Sequence, residues 1–354
     1  MSMENNLAIS VQGHLGVITL DRASHLNALS IAMIHGITQQ LEQWREDPQV
    51  QAVLINSNSA KAFCAGGDIR YLYESYQNGT RNDQRYFADE YHMLNTLRQY
   101  PKPVLVFLDG YVLGGGFGLA QACHILVSSE KSRFAMPETA IGFFPDVGAT
   151  HFLSRLDDIG VYMAVTGEQI SSSDALHLDL IDYLVASEQL GQLQTELANA
   201  PQLNQQYIEQ IIARHLKTPV PSELKQYEEA IRQHFAHAEL GQIEDSLANA
   251  AEDEHADWAA KILATLQQRS LLAKQISLKL QHVGRGLSLE QCMQLERDLQ
   301  DIWFEQGDML EGVRALLIDK DKQPKWQTEN PELMQMFENL LPPSRQQKQM
   351  SASV

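Results

Sequence analysis

Two acidic side chains, Glu138 and Asp146, stand in the stretch FAMPETAIGFFPDVG (134–148), surrounded by Phe134, Met136, Ile141, Phe143, Phe144 and Val147. Burying an ionised carboxylate costs free energy unless it has a partner or a task. Two tasks fit these acids. Each could cap a short helix, Glu138 one beginning near Thr139 and Asp146 one beginning near Val147, by accepting backbone N–H groups. Each could equally serve as a general base or a nucleophile. Their spacing, eight residues across a proline, does not place them on one face of a continuous helix. They face one cavity only if the chain folds back at Gly142–Pro145.

Two glycine-rich turns are the other chemistry-bearing features, KAFCAGGDIR (61–70) and GYVLGGGFGLA (110–120). Neither has the GxxxxGK[ST] spacing of a phosphate loop or the GxGxxG spacing of a dinucleotide fold. Such glycines permit tight turns and close helix–strand packing. They also expose backbone N–H groups at helix N-termini, and two converging donors form an oxyanion hole. The three cysteines, Cys64, Cys123 and Cys292, are too few and scattered for a disulfide framework or a zinc site. Cys64 reads as a small apolar filler. The 12 histidines show no HExxH spacing, so no metal is expected.

Alternating strands and helices must position these residues. LAISVQGHLGVITLDR (7–22) reads as two strands around a glycine turn, and SIAMIHGITQQLEQWRED (30–47) as a helix. VQAVLINSN (50–58), KPVLVFLDG (102–110) and HILVSSE (124–130) are apolar runs of strand length. That order predicts an α/β domain with largely parallel pairing, its glycine turns at strand-to-helix junctions. Past residue 188 glycine grows scarce and Gln, Glu and Leu become common. We therefore expect a core over 1–199 and a helical C-terminal extension over 200–354. Within it, 257–282 reads as one long helix stopping at Gly284, and Ser288-Leu-Glu-Gln291 as a capping box for a helix ending near Gly307. The last residues, QQKQMSASV, read as a frayed tail.

The composition excludes several classes. With 354 residues, 44% hydrophobic and 20% charged, the chain can bury a sizeable core. A net charge of −18 argues against a nucleic-acid or anionic-membrane partner. No apolar run is long enough to cross a bilayer. The opening MSMENNLAISVQG has neither a secretory nor a transit pattern, so a cytoplasmic location is expected.

Taken together, AFCAGGDI, GYVLGGGFGLA and FAMPETAIGFFPDVGATHFLSRL, in this order, resemble the crotonase (enoyl-CoA hydratase/isomerase) superfamily over about residues 7–188. The resemblance implies a spiral of ββα turns, an acyl-CoA thioester ligand and an oxyanion hole from the N–H groups of Gly67 and Gly115. Enoyl-CoA hydratases carry a glutamate two residues after the glycine triplet, where this chain has Gly118. Glu138 matches their second glutamate, whereas Asp146 lies outside the hydratase pattern. PETAIGFFPDVG together with GGGFG instead resembles the 3-hydroxyisobutyryl-CoA hydrolase subfamily. So do FADEYHMLNTLRQYPKP, where Glu90 would contact the acyl hydroxyl, and DMLEGVRALLIDKDKQPKW (308–326).

This resemblance implies hydrolysis of a short β-hydroxyacyl-CoA thioester in valine breakdown. Glu138 would attack the carbonyl or activate water, and Asp146 would orient water or the substrate hydroxyl. Apolar neighbours and the nearby Asp146 would raise the pKa of Glu138. Lys61, Phe63, Ala65, Gly66, Asp68 and Ile69 would line the CoA site, with Lys61 either meeting a phosphate or simply solvated. CoA is then part of the substrate, no further cofactor is implied, and self-association remains open. Glu311 and Arg314, three apart, could pair with each other, with Leu316, Leu317, Ile318 and Trp326 packing the tail. A hydratase or isomerase is the alternative, against which Gly118 counts. A non-catalytic structural homologue is the other, against which the intact Glu138, Asp146, Gly67, Gly115 and Glu90 count.

Overall fold

A computed structural model of the chain describes residues 6–250 and 254–341; the QQKQMSASV tail lies outside the described residues. The chain forms two compact units that interleave in sequence. The first is built from residues up to Asp68, then Arg85–Ala135 and Gln169–Gln226; the second from Ile69–Gln84, Met136–Glu168 and residues from Tyr227 onward.

All ten strands among the described residues belong to the first unit: β1 (Leu7–Gln12), β2 (Leu15–Leu20), β3 (Ala52–Ser57), β4 (Ala62–Cys64), β5 (Val104–Leu108), β6 (Tyr111–Leu113), β7 (Ile125–Ser128), β8 (Arg133–Ala135), β9 (Ile170–Ser171) and β10 (Tyr183–Leu184). They make two sheets, ordered β1-β2-β3-β5-β7-β10 and β4-β6-β8-β9. Pairing is parallel except for the β1–β2 hairpin and the β8–β9 edge. Each turn of the chain runs from a long strand in the large sheet to a short strand in the small one and on to a helical segment. β3–β4, β5–β6 and β7–β8 repeat this step and stack on one another, giving the spiral of ββα turns that the motifs implied.

Period-two patterning explains the large sheet. Leu15 and Val17, Ala52 and Leu54, Leu105 and Phe107, Ile125 and Val127 project onto one face. There they meet Leu193, Leu197, Ile208, Ile211 and Ile212 from the helices Leu190–Ala198 and Gln205–Ile212 in one buried cluster. The other residues of β5 are buried too, as expected for a parallel strand covered on both faces. The short strands β4 and β6 lie inside the two segments that the sequence reads as glycine turns, and they set the chain's direction into each.

The second unit is helical. The run read as a single helix over 257–282 is in fact two, Ala256–Gln268 and Leu271–Gly284, broken at Arg269–Ser270. Ser270 causes the break. Its hydroxyl accepts the Ala273 N–H (3.1 Å) as an N-cap and donates to Asp308 (2.6 Å), while its N–H reaches the Thr139 carbonyl (3.3 Å). The capping box at Ser288 and Gln291 is present, opening the helix Leu289–Gln306. Glu311 and Arg314 pair through two contacts of 2.8 Å, and Trp326 donates to the Gln268 carbonyl.

Asp308 is almost fully buried, and burial pushes its carboxyl above the usual Asp range despite donors from Ser270 and Gln327. The folded chain thus holds this proton more tightly than the unfolded one. The stability it contributes is full below the unfolded value of 3.8 and is lost as pH rises through the raised folded value. In urea unfolding from below pH 3.8 to neutrality, the wild type should lose stability relative to Asp308→Asn as pH rises. A pH-independent difference would show that Asp308 titrates normally.

Candidate active site

In the first unit, the AGGD turn is stitched to the segment before the first long helix. Ala65 N–H bonds to Leu26, Leu29 N–H to Gly66, and Asp68 N–H to Leu29, all by backbone contacts of 2.8–3.0 Å. Gly66 sits at φ +112, which only glycine adopts readily. Tyr86, fully buried, donates to the Leu29 carbonyl at 2.8 Å and accepts the Asp68 N–H at 3.3 Å. Arg22 closes the far side with an ion pair to Asp68 at 2.7 Å. Asn27, also fully buried, accepts the Arg22 N–H and donates to Ser57 and to the Phe63 carbonyl. Arg22, Asn27 and Tyr86 were not picked out from the sequence. The DR…N spacing at 21–27 is short enough to signal a local side-chain-to-backbone lock.

The second glycine turn comes to the same place. β6 pairs with β4, and Gly114 N–H bonds to the Ala135 carbonyl, so the helix Gly115–Gln121 starts beside the AGGD turn. Gly115 is its first residue, and an N–H there has no intrahelical acceptor. A Cβ added at Gly115 would lie 3.2 Å from the Gly67 nitrogen and 3.0 Å from Glu90 Oε1. Gly67, Gly115 and the buried Glu90 carboxylate therefore border one small space. Cys64, at the end of β4, is no nucleophile: burial pushes its thiol up to about 12.

The expected CoA residues are placed as follows. Lys61 is exposed, Ala65 and Asp68 are half-buried, and Gly66 is buried within the turn. The Phe63 side chain is fully buried. Ile69 opens the helix Ile69–Gln77 of the second unit.

Glu138 and Asp146 belong to the second unit and are 7% and 5% exposed, so both carboxylates are largely withdrawn from water. Neither is a helix cap. The 3-10 turn Glu138–Ile141 has Pro137 at its N-cap, and the helix Ala149–Phe152 has Gly148, in both cases without a side-chain cap bond. Glu296 takes that task from the helix Leu289–Gln306: its two carboxylate oxygens accept the N–H groups of Gly148 and Thr150, each at 2.8 Å. The same helix binds the loop twice more. Gln300 donates to Asp146 Oδ2 at 2.6 Å, and Trp303 Nε1 donates to the Gly142 carbonyl at 2.8 Å. Phe143 and Phe144 stack at 4.4 Å, with Trp303 edge-on to both. Gly142 lies at φ +70, and a Cβ there would meet the Asp308 carbonyl oxygen at 2.6 Å. The chain thus turns at Gly142 between the two acids, and this turn tolerates no side chain at 142.

Glu296, Gln300 and Trp303 were also missed from sequence. Their signal is polar residues on an otherwise apolar stripe, Cys292, Leu295, Leu299 and Phe304. Glu296→Gln keeps the shape but turns one acceptor toward a backbone N–H as a donor. It should lower unfolding stability by about 2 kcal/mol, measured by urea titration; an unchanged midpoint would show that the cap carries no energy.

A family model described as enoyl-CoA hydratase/isomerase matches residues 15–338. Among curated proteins, the chain is 37% identical over 323 residues to the mitochondrial 3-hydroxyisobutyryl-CoA hydrolase of Danio rerio, covering 89% of this chain and 83% of that one. It is 33% identical over 321 residues to the protein of that name from Homo sapiens, covering 89% and 82%. Among solved structures, an enoyl-CoA hydratase from Rhodobacter sphaeroides superposes with TM-score 0.84 at 32% identity, covering 96% of this chain and 97% of that one. A carnitinyl-CoA dehydratase from Mycobacterium thermoresistibile gives 0.85 at 28% identity, covering 94% and 96%. The chain belongs to the enoyl-CoA hydratase/isomerase family. The cytoplasmic expectation does not stand: these curated relatives are named as mitochondrial proteins.

Proposed function

We propose that the protein hydrolyses a short β-hydroxyacyl-CoA thioester, 3-hydroxyisobutyryl-CoA above others, to the free hydroxy acid and CoA, a step of valine breakdown. The observation that carries this reading is the convergence of Gly67, Gly115 and the buried Glu90 carboxylate. In it the thioester oxygen takes the Gly67 and Gly115 N–H groups, and Glu90 takes the acyl hydroxyl. Attack on the carbonyl carbon builds negative charge on that oxygen, and two fixed donors stabilise the developing oxyanion more than the ground state. Glu138 either adds to the carbon as a nucleophile, giving a mixed anhydride that water then hydrolyses to free Glu138, or removes a proton from the attacking water. In both routes water supplies the proton that the departing thiolate takes up, and Asp146 orients that water or the hydroxyl. CoA leaves as the thiol. The names of the curated relatives support the substrate.

Two solved relatives are titled as a hydratase and a dehydratase, which favours hydration as the competing reading. Gly118 weighs against it, because a glycine buried in the helix Gly115–Gln121 stands where a hydratase needs its first carboxylate. Incubation with 3-hydroxyisobutyryl-CoA and with crotonyl-CoA separates the two, following free thiol in one assay and enoyl absorbance in the other. Thiol release from the hydroxyacyl thioester is expected. Enoyl loss without thiol release would replace hydrolysis with hydration, and inertness toward both would leave a non-catalytic homologue.

A further inference from the structure

We propose that Gln300 is a positioning residue that fixes the Asp146 carboxylate in its working orientation. The inference rests on the thioester-hydrolase reading above, in which Asp146 orients water or the substrate hydroxyl.

Three observations converge on Gln300. Its side chain is buried at 1% exposure, and Nε2 donates to Asp146 Oδ2 at 2.6 Å. On its other side, Oε1 accepts from Arg297 Nη1 at 2.9 Å. A carboxylate only accepts and a guanidinium only donates, so these neighbours fix which end of the amide faces which partner. Arg297 thereby sets the amide, and the amide sets Asp146.

The backbone leaves this task open. The Asp146 carbonyl already accepts the Ala149 N–H at 2.9 Å, and the next two residues sit at φ +54 (Val147) and φ +93 (Gly148). Positive φ at a β-branched residue is strained and persists only where the surroundings over-determine it. Here Glu296 does so by holding Gly148 and Thr150. Because Glu296 caps the helix, the Asp146 side chain is not its N-cap, and the Gln300 amide, at 2.6 Å, is one of the groups that hold its carboxylate.

The choice of an amide is chemically pointed. A lysine or arginine at 300 would hold the carboxylate by charge and lower its basicity. The Gln300 amide instead holds Asp146 through a neutral N–H donor.

The test uses the full chain with Gln300→Met, which keeps length and apolar volume but removes both polar atoms, and Gln300→Glu, which sets a second carboxylate against Asp146. Each is measured alone and with Asp146→Asn, following thiol release from 3-hydroxyisobutyryl-CoA. Gln300→Met should lower kcat about 10-fold or more, with KM held within about threefold and no comparable loss when Asp146 is already Asn. Gln300→Glu should be the more damaging of the two. Equal losses in both backgrounds would overturn the proposal, since Gln300 would then act independently of Asp146. A crystal structure of Gln300→Met gives a readout free of any substrate. The Asp146 carboxylate should rotate while the 147–150 backbone stays in place, and an unmoved carboxylate would overturn the proposal. If the wild type releases no thiol, the functional reading fails by itself, and the crystal structure alone decides the role of Gln300.

Discussion

Glu138→Gln should lower thiol release from 3-hydroxyisobutyryl-CoA on the order of 10³-fold, with the thermal midpoint moving by no more than about 2 °C. The substitution keeps the side-chain shape and removes the basic, nucleophilic oxygen. Stability should hold because Glu138 is not a cap of the 3-10 turn it opens. The turn is also held by bonds that the variant leaves untouched: the Phe143 N–H to the Glu138 carbonyl, the Thr139 hydroxyl to Val165, and the Ser270 N–H to Thr139. Activity within tenfold of wild type would remove Glu138 from the chemistry. A loss that tracked unfolding would make it a structural acid.

The second large effect is a contrast between adjacent glycines. Gly115→Ala should cost about 10²-fold in kcat/KM with little change in stability. Its Cβ meets the Gly67 nitrogen at 3.2 Å and Glu90 Oε1 at 3.0 Å, so the neighbours must yield by a few tenths of an ångström. Those neighbours are the other proposed donor and the proposed hydroxyl ligand. Gly116→Ala should do the reverse and cost stability first. Its Cβ would lie 2.3 Å from the Cys64 carbonyl oxygen and 2.7 Å from Cys64 Cβ, a clash with the end of β4 that no rotamer relieves. Kinetics and urea unfolding on both variants test the pair. If Gly115→Ala kept full activity, Gly67 and Gly115 would not be acting as an oxyanion hole.

The long strands were legible because each is an apolar run bounded by turn residues, as in LAISVQ, AVLINS and VLVFL. The short strands were not. AFC, YVL and RFA are three residues each, too few to show a period of two, and they become strands only by lying beside one another. The break at Ser270 was hidden because RSLLAK continues a helical pattern; the cap depends on Asp308, a partner 38 residues away. At the site, the two glycine turns were visible as motifs, and the structure brings Gly67 and Gly115 together. Whether Glu138 and Asp146 were caps was not decidable from sequence. A cap and a catalyst are the same residue types; for Asp146 only Glu296, 148 residues from Gly148, shows that the task is taken, and for Glu138 only the placing of Pro137 at the N-cap excludes it.

The thiol of Cys64 acquires a different meaning once thioesters are the substrate. A thiolate can capture an acyl group from CoA by exchange, leaving the protein self-acylated, and it can form a mixed disulfide with oxidised CoA. Cys64 lies two residues before Gly66, in the turn that carries the proposed oxyanion donor. Enclosed there, with burial pushing its thiol up to about 12, it is held in the protonated form, which does not exchange. Cys123 and Cys292 are buried and pushed up to about 12 as well. On the proposed hydrolase reading, in which every turnover releases a free thiol, burial of all three cysteines keeps the protein's own sulfur out of the exchange.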